Sequence, residues 1–188
     1  RRLREVADRH GLILIEDSAD TLGATIDGES TGRFSDVSTT SFYGSHVING
    51  AGNGGMLCLN DDAQARRSLL LRSWGRASSL YQEGSEALEN RFGVTVDGIP
   101  YDAKFVFEAL GYNLEPSEIS AAFALVQLDK LERNVAARER AFAAHLEFFS
   151  GYADWFVLPR QLQGARTGWL AFPLTLREDA PFSRRDLQ

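Results

Sequence analysis

The opening residues constrain the fold more than any other stretch of this chain. Apolar side chains recur at helical spacing through residues 1–10, and Gly11 follows as a C-terminal stop. The apolar run 12–15 comes next, predicts a buried strand, and ends in Glu16 and Asp17. A helix, a short turn and a buried strand in this order indicate an α/β fold with a sheet covered on both faces.

Three further segments fit this reading. Residues 37–43 are rich in β-branched and aromatic residues and residues 55–60 are mostly apolar, so both predict strands. Residues 61–74 begin with aspartates and carry an apolar stripe, which predicts a helix. Residues 75–104 show no clear period, and we expect a functional loop, a lid or a subunit contact there.

The second half changes character. Residues 116–149 are strongly helical but too long for one average helix, and we expect a break near 131–134. Residues 169–176 predict a strand with Pro173 at an edge or bulge. Ser183 is a candidate cap for a helix at the end of the chain, and we expect both ends to be cut from a longer protein.

Composition excludes several functions. A net charge of −6 argues against a nucleic-acid binder, because phosphate contacts need clustered Lys and Arg. The single cysteine, Cys58, lies in an apolar run, so we expect a buried, inert thiol, no disulfide framework and no cysteine-ligated metal. No run has the roughly 18 apolar residues of a membrane span. We therefore expect a cytoplasmic protein that binds neither membranes nor metal.

Chemistry-bearing residues gather at two predicted strand ends. Glu16 and Asp17 follow the first strand, at the edge where α/β sheets bind ligands, although such an acid can also simply cap the next segment. Ser41 lies near the end of the second strand, and His46 follows five residues later. The glycines in 50–55 permit a sharp bend or a close approach to a ligand. The P-loop glycine pattern is absent, a glycine-rich turn alone is weak evidence for a ligand, and His46 alone could be an ordinary loop histidine.

Together these motifs resemble a known family. The stretches "IEDSADTLGA", "GRFSDVSTTSF", "GNGGML" and "LGYNLEPSEISAAFALVQLDKLE" are similar to the DegT/DnrJ/EryC1/StrS family of aminotransferases and dehydratases acting on nucleotide-linked ketosugars. The resemblance implies a fragment of a fold-type-I pyridoxal-phosphate enzyme, with a three-layer α/β/α large domain. Residues 1–130 would form part of this cofactor-binding domain, and residues 131–188 a linking helix and part of a small C-terminal α/β domain.

The resemblance also implies roles for four residues. Asp17 matches the acid that contacts the pyridine nitrogen of the cofactor, and Ser41 a hydroxyl that holds its phosphate. Asn113 matches a residue that reaches the cofactor phosphate of the neighbouring subunit, which implies a homodimer; its alternative is a plain turn residue. His46 occupies the position of the Schiff-base lysine.

Histidine in place of lysine marks the 3-dehydratase branch of the family. That branch uses pyridoxamine 5'-phosphate, related to pyridoxal 5'-phosphate, on nucleotide-linked 4-keto-6-deoxyhexoses. The chain's two lysines, Lys104 and Lys130, lie far along the sequence from His46, so an ordinary aminotransferase ranks last among the alternatives. Imidazole forms no stable Schiff base but transfers protons near neutral pH.

One type within this branch carries a [2Fe-2S] cluster. Its ligating cysteines fall in the segment matching residues 77–90, which contains no cysteine here. We therefore expect no [2Fe-2S] cluster and a reaction driven by L-glutamate, with a reductase-coupled enzyme that has lost its cluster as an alternative.

Two positions depart from the family pattern. Asn53 stands where glutamate is usual, and Glu115 where a basic residue is common. These departures favour the remaining alternative, a non-catalytic scaffold that binds a nucleotide sugar or the cofactor. His10 and His145 lie in helical patterns and are interpreted as structural, and we expect the 188 residues to be inactive by themselves.

Overall fold

A computed structural model shows a mixed α/β chain. It describes the backbone of residues 1–188 and the side chains outside positions 82, 83 and 85, so part of the segment in which no cluster is expected lies outside the described residues. The helices are α1 (Arg2–His10), α2 (Asp62–Arg72), α3 (Leu88–Phe92), α4 (Glu118–Leu128), α5 (Leu131–Ser150) and α6 (Arg184–Leu187).

The strands are short. They are β1 (Ile15–Asp17), β2 (Thr25–Ile26), β3 (Glu29–Ser30), β4 (Val37–Ser41), β5 (Gly55–Leu59), β6 (Val94–Val96), β7 (Ile99–Tyr101), β8 (Phe156–Val157), β9 (Ala165–Arg166) and β10 (Thr175–Leu176). Three 3-10 helices join them, at Thr31–Phe34, Ala77–Glu86 and Ala103–Phe105.

The chain divides into two compact units. The first comprises Arg1–Cys58 and Glu118–Gln188, and the second Leu59–Ser117. The first unit contains the sheet with strand order β1-β4-β5, a second sheet of order β3-β2-β9, and the β8–β10 pair. The second contains α2, α3 and the antiparallel hairpin β6–β7. The predicted division into domains 1–130 and 131–188 stays a prediction about the complete protein.

Helix α1 and the turn after it form as predicted. The helix ends at Gly11, whose left-handed backbone (φ 62°) directs its N–H back to carbonyls of the last turn. Arg4 on this helix donates to Asp36 Oδ2 over 2.8 Å, and the same oxygen accepts the Leu14 N–H over 2.8 Å. Asp36 therefore ties α1 to the entrance of β1.

The expected buried strand at residues 12–15 is wrong in position and in burial. The strand begins at Ile15, and Ile13 and Ile15 are 68% and 64% exposed. β1 lies at an edge of the described sheet, with β4 as its neighbour there, so its apolar side chains remain accessible. The prediction that the Cys58 thiol is buried is wrong for the same reason. Strand β5 forms the other edge of the sheet, and the thiol is exposed.

The region 75–104 contains regular structure, against the expectation. The strands β6 and β7 form a hairpin across Asp97 and Gly98, which both have positive φ (50° and 80°). An Asp-Gly pair is a strong signal for this turn. The 3-10 helix Ala77–Glu86 has no 3.6-residue period to reveal it.

Other predictions hold with smaller shifts. The Asp61 side chain caps α2 by accepting the Gln64 N–H, and Ser183 caps α6 in a capping box. The long helical region breaks at residues 129–130, slightly before the predicted place. Among the described residues, none of the helices combines the length and apolar content that crossing a bilayer requires.

The predicted strand over residues 169–176 is wrong except for its last part, β10. Trp169 has a φ of 21°, which is incompatible with extended backbone, and its ring stacks on Phe142 of α5 with centroids 3.8 Å apart. Aromatic packing against α5 thus replaces the strand.

Candidate functional site

The first unit brings two strand ends together. β1 and β4 are parallel, with Asp17 opposite Thr39, and Ser41 ends β4 two residues later. The Ser18 N–H donates to the Thr39 carbonyl over 2.8 Å and continues the pairing. Because parallel strands end at the same edge, Asp17 and Ser41 share the edge where α/β sheets bind ligands.

The two acids at the end of β1 differ in their partners. Glu16 Oε1 accepts the hydroxyls of Ser18 and Thr31 over 2.5 and 2.6 Å. Asp17 is exposed and accepts the Ala19 N–H over 3.1 Å. Successive strand residues point to opposite faces, so the two carboxylates are separated. Glu16 therefore has a structural role, whereas Asp17 has capacity left for a ligand.

The loop that carries His46 is fixed at both ends. The His46 N–H donates to the Tyr43 carbonyl over 3.1 Å, and the Tyr43 N–H donates to Ser41 Oγ over 3.2 Å. The next two side chains, Val47 and Ile48, are buried, with 5% and 4% exposure. This anchoring connects the position of His46 to the end of β4.

The imidazole of His46 lies beside an acid that the sequence analysis missed. Its Nε2 is 3.5 Å from Asp20 Oδ1, and its side chain is 19% exposed. Its Nδ1 is buried and has no hydrogen-bond partner among the described residues. The only sequence signal for Asp20 is an acid in the loop after Asp17. The Asp20 carboxylate is close enough to orient the imidazole.

The glycines of residues 50–54 form a turn that hydrogen-bonds back to Phe42. The Phe42 N–H donates to the Gly54 carbonyl over 2.9 Å, and the Phe42 carbonyl accepts the Gly50 N–H over 2.8 Å. Gly54 has a φ of 144°, and an added Cβ would lie 3.3 Å from the Phe42 Cβ. These glycines are needed for the close approach to Phe42. Asn53 is exposed on this turn.

The predicted residue Asn113 lies in the second unit. There the segment 106–115, which we call the strap, runs beside residues 73–77. The Trp74 N–H donates to the Tyr112 carbonyl over 2.8 Å, and Asn113 forms a bridge with Ser73. Asn113 is exposed.

Two glycines allow the strap to approach so closely. An added Cβ at Gly75, which has a φ of 82°, would overlap the Ala109 carbonyl. One at Gly111 would overlap the backbone at Trp74 and Gly75. Side chains are therefore sterically excluded at both positions.

Glu115 has an internal partner that the sequence does not reveal. Its Oε1 accepts the Ser73 hydroxyl, and its Oε2 lies 3.6 Å from Arg72 Nε. Glu115, which departs from the family pattern, therefore attaches the strap to the end of α2. Its partners lie about forty residues earlier, so only the folded chain brings them together.

The two lysines lie outside the loop around His46. Lys104 in the second unit forms an ion pair with Glu86 over 2.6 Å. Lys130 lies at the break between α4 and α5. The described part of the chain therefore places no lysine in the loop 42–54.

Comparison with known proteins gives relatives that match almost the whole chain. A lipopolysaccharide biosynthesis protein of Salmonella typhimurium is 32% identical over 98% of this chain and 43% of its own length. A dTDP-4-dehydro-2,6-dideoxy-D-glucose 3-dehydratase of Saccharopolyspora spinosa is 35% identical over 98% of this chain and 40% of its own length. The matching relatives include sugar transaminases as well as dehydratases.

A solved structure shares the fold. The GDP-4-keto-6-deoxy-D-mannose-3-dehydratase of E. coli, with bound hydrated pyridoxal phosphate, has a TM-score of 0.79 and 24% identity. It covers 98% of this chain, which spans 45% of that protein. The chain thus has an α/β fold of the aminotransferase type and spans less than half the length of the proteins it matches. Residues 1–188 match the family model throughout, and the chain belongs to the DegT/DnrJ/EryC1/StrS aminotransferase family.

Proposed function

We propose that the protein containing this chain removes the C3 hydroxyl from a nucleotide-linked 4-keto-6-deoxyhexose, with pyridoxamine 5'-phosphate as cofactor. Family membership and the relatives' names support work on nucleotide sugars. The observation that carries the choice of dehydration is His46: an imidazole, and no lysine, occupies the anchored loop after β4, beside Asp20.

The described residues fit the cofactor. Asp17 has an exposed carboxylate that can hold a protonated ring nitrogen, and Ser41 offers a hydroxyl to a phosphate at the same sheet edge. The buried Nδ1 of His46, without a partner in the described chain, is typical of a site that a bound group completes. When bound, the cofactor supplies an electron-withdrawing ring next to the carbon that loses a proton.

His46 acts as the proton carrier in this proposal. Its Nδ1, the ring nitrogen that does not face Asp20, takes a proton in the first half of the reaction and returns one to the departing C3 hydroxyl in the second. Asp20, 3.5 Å away, stabilises the imidazolium between these steps and orients the ring. A lysine here would compete for the cofactor's aldehyde, whereas imidazole forms no stable Schiff base.

The amino donor and assembly are part of the proposal. L-glutamate regenerates the pyridoxamine form, without an iron–sulfur cluster, because residues 77–90 contain no cysteine. Asn113 of one subunit reaches the cofactor phosphate of the other, so the enzyme works as a homodimer.

The test uses the complete gene product with GDP- or dTDP-linked 4-keto-6-deoxyhexose, pyridoxal phosphate and L-glutamate, without a reductase. Mass spectrometry follows loss of the 3-hydroxyl. His46→Asn is expected to lower the rate by about a hundredfold or more, the range for a general acid–base residue. His10→Asn, an exposed histidine of α1, is the matched control and is expected to leave the rate unchanged.

Other results would select another function. Full dehydration by His46→Asn would remove the assigned role of His46. Product formation only with an added reductase would indicate the reductase-coupled alternative. Transfer of the amino group to the sugar would indicate an aminotransferase, which the transaminases among the relatives favour. Cofactor binding without any turnover would indicate a scaffold.

A further inference from the structure

Two Asn-Gly pairs lie close together in the loop after His46. They are Asn49–Gly50 and Asn53–Gly54. An asparagine that precedes glycine can react with its own backbone, because the glycine nitrogen attacks the side-chain amide carbon and no Cβ on the glycine hinders the approach. By sequence alone, the two pairs have the same reactivity.

The fold protects the first pair. The Gly50 N–H donates to the Phe42 carbonyl over 2.8 Å, and Gly50 is buried, so the nitrogen that would attack is already engaged. The Asn49 side chain is held as well, since its Oδ1 accepts the Ala51 N–H over 3.2 Å. Reaction at Asn49 therefore requires local opening of the turn.

The second pair is open to reaction. Gly54 takes part in the turn through its carbonyl, which accepts the Phe42 N–H over 2.9 Å, while its own N–H donates no hydrogen bond within the described structure. Asn53 and Gly54 are both exposed. The φ of Gly54, 144°, strongly favours glycine, so the turn itself requires the residue that makes Asn53 reactive.

We propose that Asn53 is a site of spontaneous deamidation in the folded protein and that Asn49 is protected. A bond forms between the Gly54 nitrogen and the Asn53 Cγ, and the bond between Cγ and Nδ2 breaks. The amide nitrogen leaves as ammonia with the proton of the Gly54 N–H. Water then opens the cyclic imide at either of its carbonyls and gives aspartate or isoaspartate. No group is oxidised or reduced.

The modification changes both the charge and the backbone of the turn. Either product places a carboxylate at position 53, where the family usually has glutamate. Isoaspartate also lengthens the main chain just before Gly54, whose carbonyl closes the turn on Phe42. Ageing of the protein therefore adds a negative charge to the loop 42–54 that carries His46. This chemistry is independent of the proposed function.

The test follows the folded, complete gene product during incubation at mildly alkaline pH, which favours loss of the backbone proton. Trypsin, used at mildly acidic pH, releases residues 34–66 as one peptide that contains both pairs. Fragmentation mass spectrometry then assigns the exchange of NH2 for OH to Asn49 or Asn53. Conversion at Asn53 is expected to exceed that at Asn49 by about fivefold or more, since a hydrogen bond holds the attacking nitrogen at Gly50.

The isolated peptide 34–66 is the control for local sequence, and both of its pairs are expected to convert at similar rates. Asn53→Gln has a longer side chain that closes a less favourable ring, and it is expected to abolish the gain of negative charge seen by isoelectric focusing. Asn49→Gln, the matched variant, is expected to leave that gain unchanged.

Three results would overturn the inference. The first is an intact Asn53 in the folded protein after the isolated peptide has converted. The second is equal conversion of Asn49 and Asn53 in the folded protein. The third is a gain of negative charge that persists in Asn53→Gln. The time course of the natural protein decides the first two even where a variant fails to fold.

Discussion

At the scale of single residues, the proposed chemistry depends on the pair of His46 and Asp20. The histidine is held by backbone bonds to Tyr43 and by the buried neighbours Val47 and Ile48. Asp20 approaches its Nε2 from the loop after β1. A carboxylate in this place can orient the ring, so we propose Asp20 as a positioning residue.

Replacing Asp20 tests this assignment. Asp20→Asn is expected to lower kcat by about ten- to a hundredfold, since small misplacements of a catalytic group have such effects, with little change in KM. Asp20→Glu is expected to restore part of kcat. Asp154→Asn, an exposed acid in the same unit, is the control. A rise in KM with unchanged kcat would instead give Asp20 a role in substrate binding.

The sequence could predict the residues that belong to local motifs. Asp17 and Ser41 each end a strand, and the chain itself positions them through the parallel pairing of β1 and β4. Asp20 beside His46 and Glu115 beside Arg72 could not be predicted. Their proximity results from loops that fold back, and no local pattern encodes such contacts.

At the scale of elements, Asp36 joins α1 to β1. The hydrogen bond from Arg4, followed by that from the Leu14 N–H, lowers the pKa of the Asp36 carboxyl below its usual value. A carboxyl whose pKa is lower in the folded state stabilises the fold above its unfolded pKa of about 3.9. That contribution is lost as the pH falls through the folded pKa.

Thermal unfolding of the complete gene product against pH measures this link. Asp36→Asn is expected to lower the unfolding midpoint at neutral pH, and the difference from the natural protein is expected to vanish at acidic pH, below the folded pKa. Asp8→Asn removes another partner of Arg4, at a side chain that is 65% exposed, and a smaller effect is expected. A difference that persists at acidic pH would mean that Asp36 acts through packing and not through its charge.

At the scale of the whole molecule, the proposed homodimer makes a distinct prediction. If Asn113 completes the site of the neighbouring subunit, Asn113→Ala and His46→Asn inactivate a site from different chains. Homodimers of either variant are expected to be inactive. Mixed dimers, formed by co-expression with two affinity tags, are expected to recover activity, because one of their two sites has both natural residues.

The control pairs two variants whose residues are proposed to act in the same subunit. Co-expression of His46→Asn with Asp17→Ala is expected to restore no fully natural site if both residues act on the cofactor within the same subunit. Each subunit of the mixed dimer then carries one substitution in its own site, so both sites stay damaged. Recovery in this control, or its absence in the first pair, would contradict the proposed sharing of Asn113.

The sequence by itself determined the helices α1 and α2, the end of α1 at Gly11, the aspartate cap of α2, the strands β4 and β5 and the glycine turn after His46. These features depend on periodicity, capping and turn chemistry, which act between residues near one another in the chain. The tertiary structure alone decided the exposure of Ile15 and Cys58, which follows from their places at sheet edges. It also decided the attachment of the strap through Glu115 and Arg72 and the stacking of Arg76 on Trp74. Such contacts depend on which distant segments meet in the folded chain.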